Sequence, residues 1–183
     1  KYADALGVQQ GFITNGIELN NLSQESLASL RWLRVSMNCL DYIDSINIPK
    51  LGKTVLGFSY VFNDKTTPFV LGRLHQLVKK YRPKYVRLVP NCQSSLEQQE
   101  ENNQAYSTIV AKWGGPYFYQ EKIFGKPEKC WWGYFKPFIN SDGYVYRCSS
   151  VVLNDDANKE FHQKYRWCRI EELPSEYKVT MKP

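Results

Sequence analysis

The chain has no run of apolar residues long enough to cross a bilayer, which reads against a membrane-spanning protein. It has little cysteine: five residues in 183, an odd number, without the dense spacing of a small disulfide-stapled domain. That favours a reducing, cytoplasmic setting and thiol or thiolate chemistry. The short Cys-x2–4-Cys pair of most structural zinc sites is missing as well. There is no internal repeat, no low-complexity tract and no glycine-rich loop that would cradle a phosphate. Nothing matches a serine or cysteine protease set or the paired carboxylates of a glycosidase. These absences remove solenoids, P-loop enzymes and the commonest hydrolases.

What remains is a globular composition, 43% hydrophobic and 23% charged, with a generous 15% of aromatic residues. The net charge of +6 permits attraction to nucleic acid or acidic partners without demanding it. At 183 residues the chain can bury one good-sized core, or one core and a smaller appendage.

Hydrophobic patterning alternates between two periods. Strand-like runs are expected at Val8–Thr14, Arg31–Met37, Thr54–Phe62 and Lys84–Val89. Between them, Ser23-Gln24-Glu25-Ser26 opens a short helix with Leu27 and Leu30 as its apolar stripe. Thr67-Pro68 opens a second, with Phe69, Val70, Leu74, Leu77 and Val78 at helical spacing and Lys79, Lys80 and Arg82 at its end. A polar helix from about Leu96 to Trp113 turns Tyr106, Ile109, Val110 and Trp113 inward and stops at Gly114-Gly115-Pro116. Strands alternating with helices imply an α/β domain with a parallel sheet and right-handed crossovers. It is assigned to residues 1–118. Residues 119–183 form a second domain of a β-hairpin, three cysteines and one late helix at Asp155–Trp167. Lys1–Gly7 reads as the last turns of a helix closed by glycine. The first strand would also be a bare apolar edge. Both features predict further sheet upstream, in the same protein or a companion chain.

The hairpin is the region's strongest local signal. Asp142-Gly143 suits a two-residue turn, which would set Ser141 opposite Tyr144 and Pro137 opposite Cys148. Cys130 lies beyond the first strand and reaches Cys148 only if the chain folds back. Two buried thiols, a disulfide, zinc and an iron–sulfur site are all compatible with that geometry.

Several segments together resemble the radical S-adenosylmethionine (SAM) superfamily. Gly11-Phe-Ile-Thr-Asn-Gly16, Leu33-Arg-Val-Ser36 and Val86-Arg-Leu-Val-Pro90 look like the later strands of its partial (β/α) barrel. Cys130, twelve residues, Gly143, four residues and Cys148 fit the Cys-x9–15-Gly-x4-Cys opening of its SPASM and twitch domains. The Cys-x3-Cys-x2-Cys loop for the catalytic cluster is absent, and so is the dense cysteine array of a full SPASM domain. The resemblance therefore covers the C-terminal part of such an enzyme, with the shorter twitch type. It implies generation of a 5′-deoxyadenosyl radical that modifies a peptide or small-molecule substrate. It also implies two cofactors: SAM, and an auxiliary 4Fe-4S iron–sulfur cluster. Asn15, Ser36, Asn38, Ser59 and the backbone of Leu88 and Val89 would then contact SAM. Cys130, Cys148 and Cys168 would ligate the cluster, with Cys39, Cys92, His162 or substrate as a fourth ligand.

Each residue has a plainer reading. Asn15-Gly16 is a turn signal in its own right; Ser36, Asn38 and Ser59 are polar strand ends. Cys168 sits between two arginines that would favour its thiolate, yet is also an ordinary helix-end cysteine. His75 reads as a surface or boundary histidine, and His162 as solvated. Lys79, Lys80, Arg82, Lys84 and Arg87 read as a solvated helix end or as a patch for RNA or an acidic peptide. Trp131-Trp132-Tyr134-Phe135 could stack on bases or simply pack. The alternative to the enzyme is thus a non-catalytic module, a metal-stabilised scaffold or a nucleic-acid-binding subunit.

Overall fold

Five runs rich in β-branched and aromatic residues form one parallel sheet in strict chain order. They are β1 (Gln10–Thr14), β2 (Leu30–Ser36), β3 (Val55–Phe62), β4 (Tyr85–Pro90) and β5 (Tyr117–Tyr119). Each strand pairs in parallel with the next. The computed structural model describes residues 5–121, 136–149, 151 and 159–173. The chain divides into two compact units, Lys1–Phe124 and Gly125–Pro183.

The helices start where side chains cap them. Ser23 accepts from the Ser26 amide at the head of α1 (Gln24–Ala28). Thr67 does the same from Val70 at the head of α2 (Pro68–Tyr81), whose first residue is the pre-organised proline. Ser95 caps α3 (Leu96–Trp113) through the Gln98 amide. Lys79 and Lys80 lie at the negative end of α2, which closes on Arg82 in the left-handed region (φ 47°) just before Pro83. Leu27, Val70, Leu74, Leu77, Val78 and Val110 from these helices meet Leu33, Val35, Phe58, Tyr60, Phe62, Val86 and Leu88 from the sheet in one core.

All those sheet residues lie on one face. Residues two apart share a face, so Trp32, Arg34, Ser36, Gly57, Ser59, Val61, Tyr85, Arg87 and Val89 line the other. Sequential strand order explains this asymmetry: crossovers that always advance in one direction with one hand stack their helices on one side. Gly57 matters on the second face. A Cβ there would lie 2.2 Å from the ring of Tyr85, so only glycine lets that ring lie across β3.

Four readings of this unit change. Phe69, placed in the apolar stripe of α2, is 70% exposed, and Leu30, placed in that of α1, is the first residue of β2. A fifth strand occupies Tyr117–Tyr119, where sequence placed only a boundary; three residues carry too little pattern to reveal it. Ile109 is 43% exposed, whereas Val110 next to it is buried. Adjacent helical positions point about 100° apart, and Val110 takes the inward one.

In the second unit, β6 (Phe138–Ile139), β7 (Tyr144–Tyr146) and β8 (Arg166–Arg169) form an antiparallel sheet in that order, with α4 (Lys159–Tyr165) before β8. The hairpin is not the expected two-residue turn. Phe138 pairs with Tyr146 and Ile139 with Val145. The Asn140 amide donates to the Tyr144 carbonyl at 3.0 Å, and Gly143 closes back on Asn140 at 3.1 Å. The loop is therefore Ser141-Asp142-Gly143, with Gly143 at φ 80°. This is the three-residue form in which glycine supplies the left-handed residue. The carboxylate of Asp142 holds it, accepting from the Tyr144 amide at 3.0 Å and the Tyr146 hydroxyl at 2.6 Å. One extra loop residue moves the register by one, so Pro137 no longer falls opposite Cys148. The late helix also ends earlier than expected: residues 166–169 are strand, and Cys168 is a buried strand residue opposite Val145.

Candidate functional site

In open parallel sheets, ligands collect at the C-terminal ends of the strands. Here those ends hold a connected polar network. A turn of 3₁₀ helix at Met37–Asp41 follows β2 directly and brings Asp41 across to β3. Its Oδ1 accepts from the Tyr60 hydroxyl at 2.8 Å. Its Oδ2 accepts from Asn63 Nδ2 at 2.8 Å and from Asn38 Nδ2 at 3.3 Å. The Thr66 hydroxyl meets Tyr60 Oη at 3.1 Å and accepts from the Asn63 amide at 2.9 Å. Burial, reinforced by the neighbouring Asp41 carboxylate, raises the Tyr60 pKa far above its ordinary value, although the Thr66 hydrogen bond opposes the shift. Tyr60 is thus a fixed neutral donor.

Beside this network opens a cleft of about 400 Å³, lined by Phe62, Asn63, Asp64, Asn91, Ser94, Gln98, Asn102 and Tyr106. Its one aromatic wall is firm: the Phe62 and Tyr106 rings stack with centroids 3.8 Å apart and planes 3° from parallel. The lining offers amides, hydroxyls and one carboxylate. It can bind a polar ligand by hydrogen bonds, and it contains no histidine or thiol to serve as a nucleophile.

The residues singled out from sequence lie at different places around these strand ends. Ser36 and Ser59 are register partners on the second face; Ser59 is 9% exposed. Asn38 is spent on the fold, giving its amide to the Val61 carbonyl and accepting from the Val61 amide, both at 2.8 Å. Asn15 is exposed and caps its own turn through the Ile17 amide at 3.1 Å. Leu88 points into the core, its carbonyl accepting from Gln120 at 2.8 Å. Val89, on the other face, is 6% exposed.

Among the candidate metal ligands, Cys130 lies outside the described residues, as does the aromatic run Trp131–Phe135. Cys148 is half-buried and Cys168 is buried in β8. His162 is half-buried. Its Nε2 lies 3.0 Å from the Val151 carbonyl, and its ring packs edge-on against Tyr146. Burial raises the Cys39 thiol to about 11, which makes it an inert core residue; Cys92 is exposed. Among the described residues no three His, Cys, Asp or Glu side chains are grouped to hold a metal ion.

His75 is half-buried, at the boundary as expected, whereas His162, expected to be solvated, is half-buried as well. Its Nδ1 lies 2.5 Å from the Tyr117 hydroxyl, with the Trp113 ring edge-on at 4.6 Å. Burial lowers its pKa, and Lys79 adds to the shift. The basic helix end joins Lys50 and Lys53 around a second cleft of about 630 Å³, which Lys80, Arg82 and Lys84 also line. Sequence reasoning missed Asp41, Tyr60, Asn63 and Thr66. The available signal was an acid just past a strand's C-terminal end, in the position occupied by ligand-binding side chains of α/β sheets.

Among the described residues no helix is long and apolar enough to cross a membrane. Comparison of the chain with protein-family models, curated proteins and solved structures finds no match.

Proposed function

We propose that this chain is the C-terminal part of a radical SAM enzyme, whose strand ends receive SAM and a peptide or small-molecule substrate. The observation that carries the reading is the sequential parallel order β1-β2-β3-β4-β5, with the buried helical side chains on one face. A doubly wound sheet reverses its order and puts helices on both faces; a barrel wall does neither. Polar residues gathered at the C-terminal strand ends support the same reading.

SAM, bound beside a reduced cluster, would supply a carbon-centred radical able to abstract hydrogen. The chain's own part would be positioning. The hydroxyls of Ser36 and Ser59 sit side by side at the right end of the sheet and fit the polar groups of the nucleoside. Asn38 fits less well, since its amide already serves Val61. For an auxiliary cluster the described residues offer the thiols of Cys148 and Cys168, and no three-ligand group.

The test is anaerobic reconstitution of the full-length protein with iron and sulfide, followed by SAM titration. Bound iron with cluster absorbance, both lost in Cys148→Ala, and SAM binding weakened by Ser36→Ala support the reading. Iron content unchanged by Cys148→Ala together with SAM affinity unchanged by Ser36→Ala refutes it.

A second reading, a nucleic-acid-binding module, is favoured by the cleft lined by Lys50, Lys53, Lys80, Arg82 and Lys84. RNA affinity that falls steeply with salt and drops in Lys80→Gln/Lys84→Gln would support it; salt-independent affinity would not.

A further inference from the structure

Among the described residues, the sheet face turned away from the helices carries positive charge with no counter-charge. The register places Arg34 of β2 level with Gly57 of β3 and Tyr85 of β4. One row further on come Ser36, Ser59, Arg87 and Phe118, in strand order. Arg34 and Arg87 therefore share a face, on the strands to either side of β3. Both are half-buried. Among the described residues neither meets a carboxylate. Arg87 Nε donates to the amide oxygen of Gln120, and Arg34 Nε is buried without any partner.

Such an arrangement is costly. A guanidinium keeps its proton at neutral pH, and burying its donors unmatched costs free energy. Arg34 also acts on Arg87: burial lowers the Arg87 pKa, and Arg34 lowers it further. An unmatched pair of this kind is what an incoming anion would complete, since charge-assisted bonds to a guanidinium fork are among the strongest available. The surroundings suit one. Gly57 puts no side chain beside Arg34 on the central strand, the Tyr85 ring lies across that glycine, and the hydroxyls of Ser36 and Ser59 add neutral donors a row away.

We propose that Arg34 and Arg87, with the hydroxyls of Ser36 and Ser59, form a binding site for the oxyanion of a small molecule, a carboxylate or a phosphate. The site shares Ser36 and Ser59 with the strand ends assigned above to SAM, but it stands on the two arginines and is tested with probes other than SAM. Its location, on the face of the sheet, differs from the exposed lysine-lined cleft where Lys80 and Lys84 sit.

The test is calorimetric titration of inorganic phosphate and, separately, succinate into the full chain at constant ionic strength. Saturable binding of either is expected, and the stronger one identifies the oxyanion class. Arg34→Gln and Arg87→Gln should each weaken it about tenfold or more, with Arg34→Lys intermediate because charge survives and the fork does not. Circular dichroism of each variant monitors folding; if a glutamine variant unfolds, the Lys variant and Ser59→Ala carry the comparison. No saturable binding, unchanged affinity in the arginine variants, or loss confined to Lys80→Gln/Lys84→Gln would overturn the proposal.

Discussion

The two faces of the parallel sheet are made from alternate residues of the same strands, yet they obey different rules. Toward the helices, Leu33, Val35, Phe58, Tyr60, Val86 and Leu88 are fully buried, and burial of apolar surface drives their packing. Away from the helices, Arg34, Ser36, Ser59 and Arg87 sit partly or wholly buried with few partners. The first face is what folding would select. The second keeps polar groups at a cost that folding alone does not explain, and so marks where function is to be sought.

The largest effect should come from the helix side. Leu74→Ala removes a side chain that is 0% exposed in the core and should cost about 3 kcal/mol in urea unfolding; a much smaller loss would mean that the two faces are less unequal than their burial suggests. Gly57→Ala comes next. The added methyl meets the Tyr85 ring at 2.2 Å, and moving that ring should cost about 1–3 kcal/mol while altering tyrosine fluorescence. Arg34→Gln should raise stability by about 1 kcal/mol, since it removes a half-buried charge whose Nε has no partner; a loss of stability would make the open face structural after all.

The smallest effect is a pH dependence at the rim of the core. Burial lowers the His75 pKa from 6.5, so the folded state binds fewer protons than the unfolded chain in that range. Its contribution is fully present above the unfolded pKa and is lost as pH falls through the folded value. Denaturation midpoints should drop between about pH 7.5 and about pH 5, and less so in His75→Phe.

Much of the first unit was legible. Alternating periods, capping serine and threonine residues and the proline and glycine stops located four strands and three helices to within a residue or two. What escaped was either too short or too distant. Tyr117–Tyr119 has three residues, fewer than a periodicity needs. The hairpin loop was decided by Asn140 pairing with Tyr144, a choice between two turns that the same Asp-Gly permits. Arg166–Arg169 follows α4 without a break, and β8 exists because β7 offers an edge. Candidate-site legibility was poorer. Ser36 and Ser59 were found by strand-end position, but Asp41 gathers Asn38, Tyr60 and Asn63 from up to 22 residues away. The neighbourhood of Arg34 and Arg87 depends on the register of three strands. Local pattern cannot carry such pairings.

Asn38 has a consequence of its own. By giving and receiving a hydrogen bond at Val61, its carboxamide behaves as a stray peptide group, extending the ladder after the backbone has turned away. Only an amide of that reach can fill the role: aspartate has no proton to give, and leucine has neither function. Replacing Asn38 by aspartate would thus loosen the β2–β3 seam from within, setting a carboxylate oxygen against the Val61 carbonyl where a donor had been.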